Sequence, residues 1–317
     1  MAKADQIKAL IASHLSRDDQ HFRTVALQLA ANEARKGHGA LASEIRKMID
    51  ERPVTPARIV SMNGELDDLV IAAKPLSDAA SLVVAPSLER KLDRIVSEYR
   101  QADKLRRHGL VNRRKILLAG PPGTGKTLTA SALAKRTGLP LLVVQIDRLI
   151  SKYLGETNAK LRLIFAMIRD RPGLYFFDEF DTIGTARGAE NDVGEMRRVM
   201  NALLQFIEAD DSSSLIIAAT NSPEALDSAL FRRFDDILDY GYPDGDEIAA
   251  VIDNRLGGFR GRFKLDRVVS TAQGLSHSDI VRACDDAVKD AILDDRSALR
   301  RDDLVAALRE RKAVYPA

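Results

Sequence analysis

Apolar positions along this chain follow two rhythms, and the change from one to the other lays out its parts. Residues 3 to about 51 follow the helical rhythm. Ile7, Leu10 and Ile11 share one face, and Phe22, Val25, Ala26 and Leu29 recur at i, i+3, i+4 and i+7. Ser16, with Asp19 three residues on, has the form of a capping box that starts the second helix. Gly37 and Gly39 break that helix, Leu41, Ile45, Met48 and Ile49 give a third stripe, and Pro53 and Pro56 end it. A bundle of three short helices is predicted over residues 1–52.

Residues 53–86 are punctuated by Pro53, Pro56, Gly64, Pro75 and Pro86 and read as a connector, with short strands suggested at Leu69–Ala73 and Leu82–Ala85. Helical spacing returns from Ser87 to about Arg107, where Leu88, Leu92, Ile95 and Tyr99 are in phase. Between 115 and 240 the rhythm changes. Short apolar runs, Ile116–Ala119, Leu141–Gln145, Leu174–Phe177, Leu215–Ala219 and Ile237–Tyr240, alternate with helical stretches. That alternation implies a parallel sheet covered by helices on both faces. Beyond Pro243 only helical patterns recur, around Ile248–Leu256, Ser278–Leu293 and Arg301–Glu310. The expected fold is α/β: a parallel-sheet core over residues 87–242, a small helical lid over 243–317 and the N-terminal bundle.

Composition narrows the picture. Of 317 residues, 45% are hydrophobic, enough for two or three compact units with real cores. Charged residues make up 30%, yet the net charge is only +2, without the basic excess of a dedicated nucleic-acid binder. Cys284 is the single cysteine, so neither an internal disulfide nor a thiolate zinc cluster can form, and a buried place on a helix is expected for it. No run of about 18 apolar residues occurs, as a membrane-spanning helix would need. The N-terminus carries no apolar run of signal-peptide length, and a cytoplasmic chain is expected.

The chemistry enters at residues 120–127, Gly-Pro-Pro-Gly-Thr-Gly-Lys-Thr, a phosphate-binding loop pattern between an expected strand and an expected helix. Phosphate needs many donors at short range. A glycine-rich turn lets backbone N–H groups converge on it, and the helix N-terminus adds partial positive charge. Pro121, Pro122, Gly123, Thr124, Gly125, Lys126, Thr127 and Leu128 are the candidate nucleotide contacts. Lys126 is expected to reach the outer phosphates and Thr127 to hold Mg2+ through its hydroxyl. The run Leu174–Phe177 delivers Asp178 and Glu179 at a strand's C-terminal end, where ligands sit in open α/β sheets. Asp178 is expected to bind Mg2+, directly or through water, and Glu179 to orient or activate an attacking water. A third run ends Ala218-Ala219-Thr220-Asn221, which offers Asn221 to that water or to the γ-phosphate.

In this order the three pieces resemble the Walker A, Walker B and sensor 1 motifs of the AAA family of ATPases, over roughly residues 88–295. Glu195–Leu204, and Leu226–Asp235 with its Phe231-Arg232-Arg233-Phe234, are similar to that family's second region of homology. The likeness implies that Arg233 or Arg232 acts as a finger on the ATP of an adjacent subunit. The family's paired arginines usually have two residues between them, whereas these are adjacent, so the likeness leaves open which one reaches the phosphate. Ser151-Lys152-Tyr153-Leu154-Gly155 is similar to the first pore loop of AAA unfoldases and severing enzymes. It implies that Lys152, Tyr153 and Leu154 grip a polypeptide in a ring channel. Gly274-Leu275-Ser276-His277-Ser278-Asp279-Ile280 resembles the start of the lid helix beside the adenosine, with Ser278 where other AAA+ branches carry an arginine. His277 is there either a nucleotide contact, a helix cap or a solvent-facing side chain. His108-Gly109-Leu110 matches a segment through which relatives contact adenine, so Gly109 joins the candidate contacts.

The resemblance therefore implies an ATP hydrolase that uses ATP and Mg2+ and assembles as a homo-oligomeric ring, a hexamer. Its work would be to thread, unfold or disassemble protein substrates, and the N-terminal bundle, which resembles the docking bundles of severing AAA proteins in architecture alone, would either dock them or only stabilise the ring. The chain contains no His-Glu-x-x-His, so a protease would be a separate partner subunit. Membrane and nucleic acid are not expected partners. The alternative is an AAA+ nucleic-acid helper of initiator or transposition type, which DNA-stimulated ATPase activity would favour. A non-enzymatic ATP-binding adaptor fits poorly with Glu179 and Arg233.

Overall fold

The computed structural model describes residues 68–74, 82–149, 154–182, 190–226 and 228–314, together with Leu29, Ala30, His38 and Ser43. The chain divides into two compact units, Met1–Val60 and Ser61–Ala317. The predicted three-helix bundle lies outside the described residues, apart from the four just named.

Six strands of the second unit form one sheet: β1 (Val70–Ala73), β2 (Lys115–Ala119), β3 (Leu141–Val144), β4 (Leu174–Phe177), β5 (Leu215–Thr220) and β6 (Asp236–Asp239). Their order across the sheet is β1-β3-β4-β5-β2-β6. The five strands read from apolar runs all form, and they pair in parallel. The sheet is not purely parallel, however. The expected connector supplies its edge, where Val70–Ala73 pairs antiparallel with β3, Val70 opposite Val144. The other suggested strand, Leu82–Ala85, does not form. Pro86 opens a helix and pushes Ala85 into extended backbone, φ −51° and ψ 143°, which imitates a strand without a ladder partner.

Around the sheet lie α1 (Pro86–Arg100), α2 (Ala102–Arg107), α3 (Lys126–Thr137), α4 (Ile146–Leu149), α5 (Leu154–Asp170), α6 (Glu190–Ala209) and α7 (Ser228–Phe231). Alternate strand residues face opposite ways. Leu117, Tyr175, Phe177, Ile216 and Ala218 pack with Leu161, Ile164, Ile168, Leu203 and Ile207 of α5 and α6 on one face. Ile116, Leu118, Leu174, Phe176 and Ile217 pack with Leu92, Ile95, Ala130 and Leu133 of α1 and α3 on the other. Helices on both faces explain why these strands read as unbroken apolar runs.

The region expected to form a lid contains α8 (Gly245–Leu256), α9 (Asp266–Ala272), α10 (His277–Leu293) and α11 (Arg301–Ala313), which share a core around Ile248, Ile252, Ile280, Ala287 and Leu304. Asp244 starts it: its carboxylate accepts from the amides of Asp246 and Glu247, and Glu247 returns the bond to the Asp244 amide. Cys284 is buried on α10 as expected, and burial pushes its thiol up to about 12. Two adjacent residues ahead of α1 join core to lid. Leu82 packs on the sheet's cluster and Val83 on the lid's. No described helix is long and apolar enough to cross a membrane.

Candidate active site

The topology brings the three motifs together. From β2 the chain crosses to β3, two strands beyond its neighbour β5, and later returns to place β6 on the other side of β2. The strand order thus reverses at β2, and open α/β sheets bind ligands at the C-terminal strand ends beside such a point. Register does the rest: Ala119 lies opposite Thr220, and Phe177 opposite Ala218. Gly120, Asp178 and Asn221, which follow β2, β4 and β5, therefore share one edge.

The loop after β2 is tightly held. Gly120 has φ 145°, and a Cβ there would run into the Tyr240 carbonyl. Thr124 donates its hydroxyl to the Pro121 carbonyl at 2.8 Å. Lys126, the first residue of α3, is buried and folds back on the loop, donating to the carbonyls of Gly120 at 2.6 Å and Pro121 at 2.8 Å. Burial lowers its pKa, and the carboxylates of Asp178 and Asp181 oppose that shift. Next to it, Thr127 Oγ1 donates to Asp178 Oδ2 at 3.0 Å.

Glu179 has φ 50°, in the left-handed region that a non-glycine residue occupies at a cost of roughly 1–3 kcal/mol. Its neighbours hold it there. Its N–H donates to Asp178 Oδ1 at 3.0 Å, and the next amide, of buried Phe180, donates to the Ala219 carbonyl at 2.8 Å. Asn221 is tied to the same turn, its N–H donating to Asp181 Oδ1 at 3.3 Å.

These residues line a cleft of about 720 Å³. Lys126, Thr127, Asp178, Glu179 and Asn221 form its polar end, with Pro122, Gly123, Gly125 and Leu128 along the loop. Its other wall mixes aliphatic and polar side chains: Leu82, Val83, Val251 of α8 and Val281 of α10, with Asn254, Arg255, His277, Ser278 and Arg282. Pro121 and Thr124 stay behind the loop as internal partners rather than lining residues. Gly109, two residues beyond α2, has φ 72° and is not among the residues that line the cleft. Lys152 and Tyr153 lie outside the described residues, and of Leu154 only the backbone, opening α5, is described.

Loop and lid meet directly. The Ser278 amide donates to the Gly123 carbonyl at 3.0 Å. Gly123 has φ 76°, and a Cβ would lie 2.6 Å from Ser276 Oγ and closer still to Ser278 Oγ. Gly123→Ala should therefore push the lid off the loop and add left-handed strain of about 1–2 kcal/mol. Calorimetry is expected to show roughly tenfold weaker ATP binding; affinity within about twofold of the unmodified chain would mean that this contact does not shape the cleft.

The two arginines sit elsewhere. Asp235, two residues beyond Arg233, accepts from the amides of Arg114 and Lys115 at 2.9 Å, at the N-terminal end of β2. The length of β2 separates that end from the cleft, about 13 Å at ~3.3 Å per residue. Neither arginine lines the cleft. Arg233 pairs with Glu208 of α6, and Arg232 is exposed.

The Thr127 hydroxyl and the Asp178 carboxylate, 3.0 Å apart, are hard oxygen donors. No group of three or more His, Cys, Asp or Glu able to hold a metal occurs among the described residues. A cation here would take its remaining ligands from phosphate and water, the habit of Mg2+ and not of a caged ion, so the residues fit it.

Comparison with known proteins bears on the whole arrangement. The family model described as "ATPase family associated with various cellular activities (AAA)" matches residues 116–242. The AAA family ATPase y4kL of Sinorhizobium fredii is 35% identical over 98% of this chain and 96% of its own length. The ATP-dependent zinc metalloprotease FtsH 3 of Sphaerobacter thermophilus is 34% identical over 71% of this chain, which spans 47% of that protein. The 26S proteasome regulatory subunit 8 homolog A of Arabidopsis thaliana is 29% identical over 85% of this chain and 71% of its own length.

Proposed function

From a chain that belongs to the AAA family and hydrolyses ATP, we propose a ring-forming motor that remodels protein clients. In this reading residues 1–52 dock the client, 53–86 connect, 87–242 form the ATPase core and 243–317 the lid. Lys126 and the loop amides neutralise the phosphates. Thr127 and Asp178 hold Mg2+, which when bound offsets charge on the phosphate oxygens. Glu179 takes a proton from, or orients, the attacking water, and Asn221 helps to place that water. Members of the family work as rings, and a hexamer is the assembly proposed for this chain. It acts in the cytoplasm, with any protease supplied by a separate subunit.

The observation that carries the proposal is the separation of Arg232 and Arg233 from their own cleft by the length of β2. An arginine pinned at the opposite edge of the sheet contributes to phosphoryl transfer only across a subunit boundary. The test is the ATPase rate per chain as concentration rises. It should climb steeply and then plateau as rings form. A rate per chain that is flat from nanomolar to micromolar concentration refutes the motor. Tyr153→Ala tests the pore separately: ATPase activity should stay within about twofold while unfolding of a tagged client falls by roughly tenfold or more, as expected when one aromatic hot spot is truncated. Unimpaired unfolding removes Tyr153 from the grip.

A further inference from the structure

His277 opens α10, and both of its ring nitrogens are shut off from solvent without a hydrogen-bond partner. Two plain roles for it fail. The helix is capped by Ser276, whose Oγ accepts from the Asp279 amide at 3.2 Å. Nor does the ring present its nitrogens to water. The residue is nevertheless partly exposed, and it lines the cleft beside Val251 and Val281. A half-turn about χ2 exchanges the nitrogens with the ring's two carbons and leaves its outline unchanged. Such a turn is the means by which a nitrogen would come to face the cleft.

The chemistry of the two ends of the cleft says what would meet it there. Phosphate belongs with Lys126 and Thr127. On the far wall, where Asn254, Arg255 and Arg282 also line the cleft, the aliphatic side chains of Leu82, Val83, Val251 and Val281 suit the flat apolar face of a nucleobase. A base lying on that wall turns its polar rim outward, and His277 is the histidine beside it. Burial lowers the pKa of His277, so the ring is neutral, with one N–H donor and one lone pair. The adenine rim offers a matching donor in its 6-amino group and an acceptor at N7. An imidazole whose nitrogens are buried without a partner is unfavourable, and a base that satisfies it removes that penalty.

Resting on the reading of this cleft as the ATP site, we propose that the His277 side chain hydrogen-bonds the polar rim of adenine and makes the cleft discriminate between bases. The test compares binding of ATP, purine riboside triphosphate, which lacks the 6-amino group, and 7-deaza-ATP, which lacks N7, to the full chain. The unmodified chain should prefer ATP to one of the two analogues by roughly fivefold or more. His277→Phe should bind all three within about twofold of one another, and His277→Gln, which keeps a donor and an acceptor, should recover part of the preference. Because each variant is compared with itself, a general change in affinity cancels. A His277→Phe chain that keeps the whole preference, or an unmodified chain that shows none, overturns the inference. Lys126→Ala is the separate control: ATP binding unchanged there would sink the reading of the cleft itself.

Discussion

Lys126→Ala is expected to reduce ATP affinity by at least about a hundredfold, enough to erase hydrolysis at ordinary nucleotide concentrations. The ammonium is buried at the head of α3 and is held by the Gly120 and Pro121 carbonyls. Phosphate oxygens are better partners than those carbonyls. Hydrogen bonds to charged groups contribute about 1.5–3 kcal/mol each, and the lysine can make two. The folded state should be little affected, since the alanine removes a charge whose burial is itself unfavourable. Calorimetric titration and thermal melting together separate the outcomes. Tight ATP binding by a well-folded variant would count against this cleft as the ATP site.

Glu179→Gln should do the opposite: bind ATP normally and split it at least about a hundredfold more slowly, the usual range for loss of a general base being 10²–10⁴. The substitution keeps the side chain's size, and the backbone at φ 50° is held by its neighbours rather than by the carboxylate. Any loss of rate therefore reports on chemistry. A variant that still turns over at more than about a tenth of the normal rate would pass the base role to another group. The same variant with ATP is the means to find a client, since a ring that cannot fire should retain what it has engaged.

Much of this was legible in the residues. The five parallel strands announced themselves because helices cover both faces of the sheet, so that no polar positions interrupt the apolar runs. The motif positions followed, because the loop, the carboxylate pair and Asn221 each terminate one of those strands. What escaped was set by packing. Val70–Ala73 sits among prolines and glycine and is an edge strand, with no partner visible in its own vicinity. Leu82–Ala85 looked like a strand because the proline that follows enforces extended backbone. The aliphatic part of the cleft's other wall was harder still. Val251 and Val281 are ordinary positions of amphipathic lid helices, and only the fold turns them toward Lys126. Gly109 was assigned by likeness to relatives and is not among the residues that line the cleft, whereas Leu82 and Val83, which were not assigned, are.

The pair Leu82 and Val83 has a mechanical consequence. Neighbouring side chains are rooted in two different cores, one under the sheet and one inside the lid. Tilting the lid must either uproot one of them or drag the strand of chain along. Each is only partly buried, so extraction would forfeit roughly half of the ~1.5–3 kcal/mol of a fully buried aliphatic side chain. Dragging is therefore the cheaper response to a small tilt. A small tilt of the lid therefore carries Leu82 and Val83, and with them one side of the cleft, along with it.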